Sequence, residues 1–286
     1  MHFTRIARFF LLPALLFFPP AAVQAGAAGL SFDGSAGGGF SFDLSLAPAV
    51  TAPRPAEAPG QVYRAYDFSA LWNGLGYPAA GGRDGGEATA AFGATEEEVM
   101  DLTSYTSKSD PFYQEVNGYL RFHPAPYDWS GTSPEAEAAM VKNIDRVFAR
   151  VPALPGDLVL FRGISLGFRG GRPYAIGEEY VDKGYVSTSA SYKVARYFAV
   201  EMDDEEEDPA RRAVLVIYQA AAVRGILIDQ GEDEVILGHG RKFRVMAKKD
   251  GVSKYDLYLV QACAGTCAGA LPEGMESFWR ALDVQD

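Results

Sequence analysis

The 286-residue sequence predicts an α+β fold with a largely antiparallel sheet, on three observations. Helical periodicity is concentrated between Thr95 and Val151. Short β-rich runs crowd the chain after Asp157. Glycines and charged turns separate those runs, in place of the crossover helices that parallel neighbours require. The hydrophobic share of 48% is enough for a sizeable core.

The first 25 residues stand apart. His2, Arg5 and Arg8 make a basic start, Phe9 to Phe18 form an apolar run broken by Pro13, and Val23-Gln24-Ala25 offers a cleavage site. This pattern predicts a secretory signal peptide over 1–25, with an uncleaved membrane anchor as the alternative; the apolar run is short for a span. Residues 26–62 are rich in Gly, Ala, Pro and Ser and read as a flexible linker, so order is expected from about Val62-Tyr63.

Thr95 is suited to cap a helix, and Glu96, Glu97 and Glu98 favour the positive end of its dipole. The stretch to Phe122 is expected as two helices, one ending near Ser107 and one starting near Asp110, because Pro111 breaks it. Ser133 caps a further helix with Pro134 at its first position. Met140, Ile144, Val147, Phe148 and Val151 fall on one face of it, and Pro152 and Pro155 end it. Strands are predicted over 157–164, 178–189, 213–220, 225–229, 234–237, 241–247 and 254–262, with one short helix at about 191–200. The acidic run 203–208 is expected to be a solvated loop.

The formal net charge is −11, and loss of the signal peptide removes Arg5 and Arg8 and no acid, leaving −13. That balance argues against nucleic acid and anionic membranes as partners, since both need a basic surface. Beyond the signal peptide only His123 and His239 remain, with no Gly-x-Ser-x-Gly or His-Glu-x-x-His, so a serine hydrolase or zinc enzyme is hard to assemble. Cys263 and Cys267 are the only cysteines. In an exported chain they predict a small-loop disulfide, with two free thiols as the alternative; zinc would need further ligands. Gly74-x-Gly76-x-x-Ala79 fits a loose dinucleotide fingerprint, but it follows no strand and contains Pro78, so it reads as an irregular loop.

Three other pieces carry chemistry. Arg162 ends the apolar strand Leu160-Phe161-Arg162-Gly163, where a guanidinium is costly to desolvate unless an anion meets it. Ser187-Thr188-Ser189 closes a strand with three hydroxyls, a triplet common by chance. Glu232-Asp233-Glu234 abuts the apolar Val235-Ile236-Leu237. In an extended segment Glu232 and Glu234 point to one side, a repulsive pair unless a cationic species lies between them.

In this order and spacing, Arg162, Ser187-Thr188-Ser189 and Glu232-x-Glu234 resemble the Arg, Ser-Thr-Ser, Glu-x-Glu signature of bacterial mono-ADP-ribosyltransferase toxins, the relatives of the iota-toxin enzymatic component and the C3 exoenzymes. Tyr105-Thr106 followed by Val116-Asn117-Gly118-Tyr119-Leu120-Arg121 is similar to a helix of that family. Ala195-Arg196-Tyr197-Phe198 resembles the segment carrying its nicotinamide-stacking phenylalanine, and Lys242-Phe243-Arg244-Val245 the strand after its catalytic glutamate. The resemblance covers roughly Tyr63 to Ala262. One departure is Glu201, near the place where many relatives carry an arginine; Arg196 or Arg211 would have to substitute.

The resemblance implies the ADP-ribosyltransferase fold, whose sheet is split, over a catalytic domain at 63–265 with a C-terminal tail at 266–286. It implies NAD as co-substrate, no metal, and a secreted toxin or effector. Glu234 would hold the ribose and stabilise its cation, Ser187 would orient Glu234, and Glu232 would position an acceptor arginine on a target protein. Arg162 and Arg121 would meet NAD at its phosphates or ribose, Phe198 would stack on nicotinamide, Tyr105 would line the same pocket, and Thr188 and Ser189 would shape the strand end. The chain leaves room for a separate delivery or immunity partner. An NAD glycohydrolase on the same fold and a non-catalytic NAD-site module are the alternatives.

Overall fold

The computed structural model describes residues 62–78, 85–107, 112–125, 131–200, 212–219, 223–228, 231–252, 255–263 and 265–282. The expected signal peptide, nearly all of the linker, the acidic run at 203–208, Glu201 and Arg211 lie outside the described residues. Among the described residues no helix is long and apolar enough to cross a membrane.

Helix α1 (Phe68–Gly74) starts at Asp67, whose carboxylate accepts from Ala70 N at 3.0 Å, and it buries Phe68, Leu71 and Trp72. A short α2 follows at Gly85–Ala90. In α3 (Glu96–Thr106) the expected cap is reciprocal: Glu98 N donates to Thr95 Oγ1 at 3.3 Å, and Thr95 N donates to Glu98 Oε2 at 2.9 Å. Beyond the predicted break lies α4 (Phe112–Phe122), then α5 (Pro134–Arg150), capped by Ser133 and burying Met140, Ile144, Val147 and Phe148. Glu98 also ties two helices together. Only 2% exposed, it accepts from Arg150 Nη1 at 2.5 Å and Nη2 at 2.9 Å, clamping the first turn of α3 to the last turn of α5.

The strands are β1 (Val159–Ser165), β2 (Glu179–Asp182), β3 (Val186–Ser189), β4 (Arg212–Gln219), β5 (Gly225–Ile228), β6 (Glu234–Leu237), β7 (Arg241–Val252) and β8 (Tyr255–Cys263), with α6 (Tyr192–Val200) after β3 and α7 (Glu273–Ala281) at the end. They form one sheet ordered β2-β7-β8-β4-β1-β3-β6-β5. β4 and β8 run parallel, and the other neighbours antiparallel. The split implied by the resemblance is present as a seam, because β1 meets β3 through the single Cα pair Phe161–Ser189.

One predicted strand divides. The run 178–189 becomes β2 at one end of the sheet and β3 in its interior. The turn between them presses against α4: a Cβ on Gly184 would lie 2.6 Å from Asn117 Oδ1 and 3.0 Å from Arg121 Nη2. A larger residue there would have to displace the Asn117 and Arg121 side chains.

Both faces of β1 are buried. Leu158 and Leu160 join one cluster with Leu71, Leu215, Leu237 and Tyr258; Val159 and Phe161 join another with Val214, Val216, Leu257, Ala195 and Trp279. This explains why β1, β4 and β8 read as continuous apolar runs rather than alternating ones. A third cluster packs α3, α4 and α5 onto Ile226, Ile228 and Ile236. The segment expected as a C-terminal tail contains α7, whose Met275 and Trp279, one helical turn apart, are buried. Lys249 Nζ donates to the Trp279 and Leu282 carbonyls at 2.9 and 3.1 Å, fixing that helix to β7. Helices α1, α2 and α7 were not predicted. They are short, and α2 opens on two glycines.

Cys263 and Cys267 form a disulfide with a Cα–Cα distance of 5.0 Å, both residues buried. The side chain of Gln261 supports the loop by accepting from Ala268 N at 2.7 Å. Unfolded but unreduced protein should therefore titrate no free thiol; two thiols would refute the pairing. Because the loop is short, its entropic contribution is small, and the double serine variant should keep its fold.

The Arg150 pair holds the Glu98 carboxyl at about 2, below its ordinary 4.5, against the opposing effect of burial. A carboxyl depressed in the folded state contributes stability above its unfolded pKa, and the contribution is lost as pH falls through the folded value. Glu98→Gln should cost about 2 kcal/mol at neutral pH. In thermal melts the gap to the parent should close as pH falls from 4.5 towards about 2. A gap that persists at the acid end would mean the ion pair is not its source.

Candidate functional site

β3 and β6 pair with Ser187 opposite Ile236, Thr188 opposite Val235 and Ser189 opposite Glu234. Val186, Val235, Ile236 and Leu237 are fully buried, which fixes this register. Ser187 and Glu234 are diagonal neighbours on one face, and Ser187 Oγ donates to Glu234 Oε1 at 2.5 Å. The other two hydroxyls turn away. Thr188 Oγ1 donates to the Val235 carbonyl at 2.5 Å. Ser189 Oγ donates to the Glu232 carbonyl at 2.8 Å and accepts from Ser191 N at 3.0 Å. Ala190 N adds a bond to the Asp233 carbonyl at 2.9 Å. Ser187 thus orients an acid, while Thr188 and Ser189 lash the turn before β6 to the end of β3.

Glu232 and Glu234 do line one cleft, of about 170 Å³, with Arg162, Ser187, Thr188, Ser189 and Phe198. The extended geometry expected to aim them together is not the reason. Asp233 has φ 48° and Gly231 φ 84°, so the backbone before Glu234 is a turn with a left-handed residue between the two glutamates. Aspartate tolerates that region better than most residues.

Phe198 reaches the cleft because α6 lies directly on β1. A Cβ on Gly163 would stand 2.0 Å from the Ala195 carbonyl oxygen and 2.6 Å from Ala199 N, so glycine after Arg162 is what lets the helix in. The Phe198 ring sits edge-on to exposed Tyr197 at 5.9 Å. Arg196 stands on the same helix but does not line the cleft.

Arg162 and Arg121 meet through a residue that sequence reasoning passed over. Asp182 accepts from Arg162 Nη1 at 3.1 Å through Oδ2, and through Oδ1 from Arg121 Nη2 at 3.0 Å, Arg121 Nε at 3.3 Å and Gly184 N at 3.1 Å. Burial alone would raise the Asp182 carboxyl; the two guanidiniums and the Gly184 N–H hold it below its ordinary value. Its signal in the sequence is faint, an acid two residues before a glycine at the end of a β-rich run.

Tyr105 does not line the cleft. It is buried against Tyr185 in an edge-on contact, and its hydroxyl accepts from Asn117 Nδ2 at 3.1 Å. Burial pushes the phenol upward, and the Glu234 charge adds to that. Asn117 Oδ1 accepts from Tyr185 N at 2.8 Å, fixing α4 to the start of β3.

Among the described residues no group of three or more His, Cys, Asp or Glu side chains is placed to hold a metal. His239 Nε2 faces Asp145 Oδ2 at 3.1 Å, and His123 packs on Tyr119. The arrangement therefore offers an oriented carboxylate, a second carboxylate at the same cleft, an aromatic wall and paired guanidiniums. Carboxylates can meet a cationic centre and guanidiniums an anion beside it.

Comparison with known proteins follows the same direction. No curated protein matches the chain. Solved structures with a similar fold include Vis toxin, an ADP-ribosyltransferase from Vibrio splendidus, at 16% identity over 71% of this chain and 98% of that one, TM-score 0.46. An ADP-ribosyltransferase from Clostridium botulinum is 13% identical over 70% and 98%, TM-score 0.48. Exoenzyme S from Pseudomonas aeruginosa, solved with human 14-3-3 protein beta and bound to carba-NAD, is 17% identical over 76% and 98%, TM-score 0.46. The model of the ADP-ribosyltransferase exoenzyme family matches residues 70–265, more than half of the sequence, and the chain belongs to that family.

Proposed function

We propose that this transferase cleaves NAD at the nicotinamide–ribose bond and passes the ADP-ribose to an arginine side chain of a target protein. The observation that carries the reading is the hydrogen bond from Ser187 to Glu234, in a cleft shared with Glu232, Arg162 and Phe198. Breaking that glycosidic bond sends its electron pair to nicotinamide and leaves an oxocarbenium ion on the ribose. A fixed carboxylate beside that sugar is worth most when the charge is fully developed, which is the condition for catalysis.

In this reading Glu234 accepts from the ribose 2′-hydroxyl and stabilises the cation, as carboxylates do in glycoside hydrolysis. Ser187 keeps Glu234 in one rotamer. Phe198 stacks on nicotinamide, and Arg162 with Arg121 faces the phosphates, where planar guanidiniums suit an anion. Tyr105 contributes from below the cleft. Glu232 receives the acceptor: a guanidinium nitrogen attacks the ribose C1′ and its surplus proton passes to this carboxylate. An arginine is protonated at neutral pH and is a poor nucleophile until a carboxylate orients it. The N-terminal 25 residues support export, with the mature enzyme extracellular or periplasmic after signal-peptide cleavage, residues 26–62 as linker and 63–265 as the catalytic domain.

Glu234→Gln should lower both NAD hydrolysis and transfer by a hundredfold or more, roughly 3 kcal/mol of transition-state stabilisation. Ser187→Ala should lower both together by about tenfold, the value of one hydrogen bond to a charged group. Near-parental turnover of Glu234→Gln would sink the assignment.

Glu232→Gln separates the two half-reactions, because water needs no base to trap an oxocarbenium ion. Assayed side by side by nicotinamide release and by mass spectrometry of modified protein, this variant should lose arginine modification and keep much of its NAD hydrolysis. Modification at the parental rate would disprove the acceptor role. Parental protein that releases nicotinamide without labelling any protein would make it an NAD glycohydrolase.

A further inference from the structure

We propose that Asp182 is a positioning residue of the dinucleotide site, holding Arg121 and Arg162 as one preset pair of cations for the pyrophosphate. The inference rests on the NAD reading above and adds to it a residue with no counterpart among the motifs.

The geometry is specific. One carboxylate takes four N–H donors from three places: Arg162 on β1, Arg121 twice on α4, and Gly184 in the turn after β2. In the sheet, β2 and β1 are separated by β7, β8 and β4, so the contact spans across the molecule and not along hydrogen-bonded neighbours. The acid lies deepest, with side-chain exposures of 16% for Asp182, 22% for Arg162 and 37% for Arg121. The guanidiniums are therefore the more open members. Each has five N–H groups, more than Asp182 takes.

Two guanidiniums on a shared acceptor would repel and splay without the anion between them. With it they form a rigid unit and still carry a net surplus of one positive charge, in a chain whose overall charge is −11. Fixing the donors beforehand removes an ordering cost from binding. Asn117 and Gly184 reinforce the arrangement: Asn117 Oδ1 accepts from Tyr185 N at 2.8 Å, and Gly184 leaves no Cβ between the turn and Arg121. The pair also extends the site. Arg162 lines the cleft of about 170 Å³, and Arg121 stands outside it.

The test compares Asp182→Asn with the parent, using calorimetry with ADP-ribose, which carries the pyrophosphate, and with nicotinamide, which does not, alongside steady-state NAD cleavage. The expected result is ADP-ribose affinity weakened about tenfold, unchanged nicotinamide binding, and a raised KM for NAD with kcat nearly parental, the pattern of lost ground-state binding. Asp182→Glu keeps the charge and should retain most of the affinity. Parental ADP-ribose affinity in Asp182→Asn, or equal losses in KM and kcat, overturns the proposal and leaves the NAD reading standing. If Asp182→Asn does not fold, Asp182→Glu decides: loss of ADP-ribose affinity with an unchanged melting temperature overturns it. A parent that neither binds ADP-ribose nor cleaves NAD overturns the reading itself, and this inference with it.

Discussion

The pairing of β3 with β6 is the constraint on which the cleft depends. Val235 and Leu237 pack with Val186 in one buried cluster and Ile236 packs in another against the helices, so a slip of one residue would exchange the two faces of β6 and put Glu234 on the side of Val186. In that register Ser187 meets Glu234 and Ser189 meets the turn that carries Glu232. The geometry of the cleft is thus set by hydrophobic burial on both faces of the same strands. The two carboxylates are supported differently: Glu234 begins a buried strand, and Glu232 sits on a turn held by side-chain and backbone bonds at the end of β3.

Close backbone approach is the second physical theme. Gly163 lets α6 ride on β1, and Gly184 lets α4 touch the turn before β3. Each glycine stands next to functional residues in sequence, one after Arg162 and the other before Tyr185 and Ser187. The missing Cβ atoms let helix-borne groups approach the sheet, Phe198 at the cleft beside β1 and β3 and Arg121 at Asp182 on β2. Around Asp182 the same closeness creates an electrostatic problem that one carboxylate resolves, since two neighbouring guanidiniums cost too much to bury without it.

Much of this was legible beforehand. The capping box at Thr95 and Glu98, the helix from Ser133 with its apolar face, and the β-rich texture after Asp157 are local properties, governed by side chains within four residues of one another. Arg162, Ser187, Glu232, Glu234 and Phe198 were named from their motifs, and the structure gathers all five around one cleft. Less legible were α1, α2 and α7, whose few turns gain their stability from docking and not from periodicity. Tyr105 was expected in the pocket wall, but its ring is spent on packing with Tyr185 beneath it. The run 178–189 looked continuous because alternation does not reveal that its two halves find different partners.

By itself the sequence determined the class of the fold, its longer helices, most of its strands and the residue types of its motifs, because each depends on short-range patterning and on motifs read in line. Only the tertiary structure decided which of those residues share a cleft, that Asp233 takes a left-handed conformation between the two glutamates, and that Asp182 joins Arg121 to Arg162. The Asp182 contacts join residues 20 and 61 positions apart, at 3.1 and 3.0 Å between donor and acceptor. They follow from how the sheet closes on its helices, a property of the packed whole that no local stretch of sequence encodes.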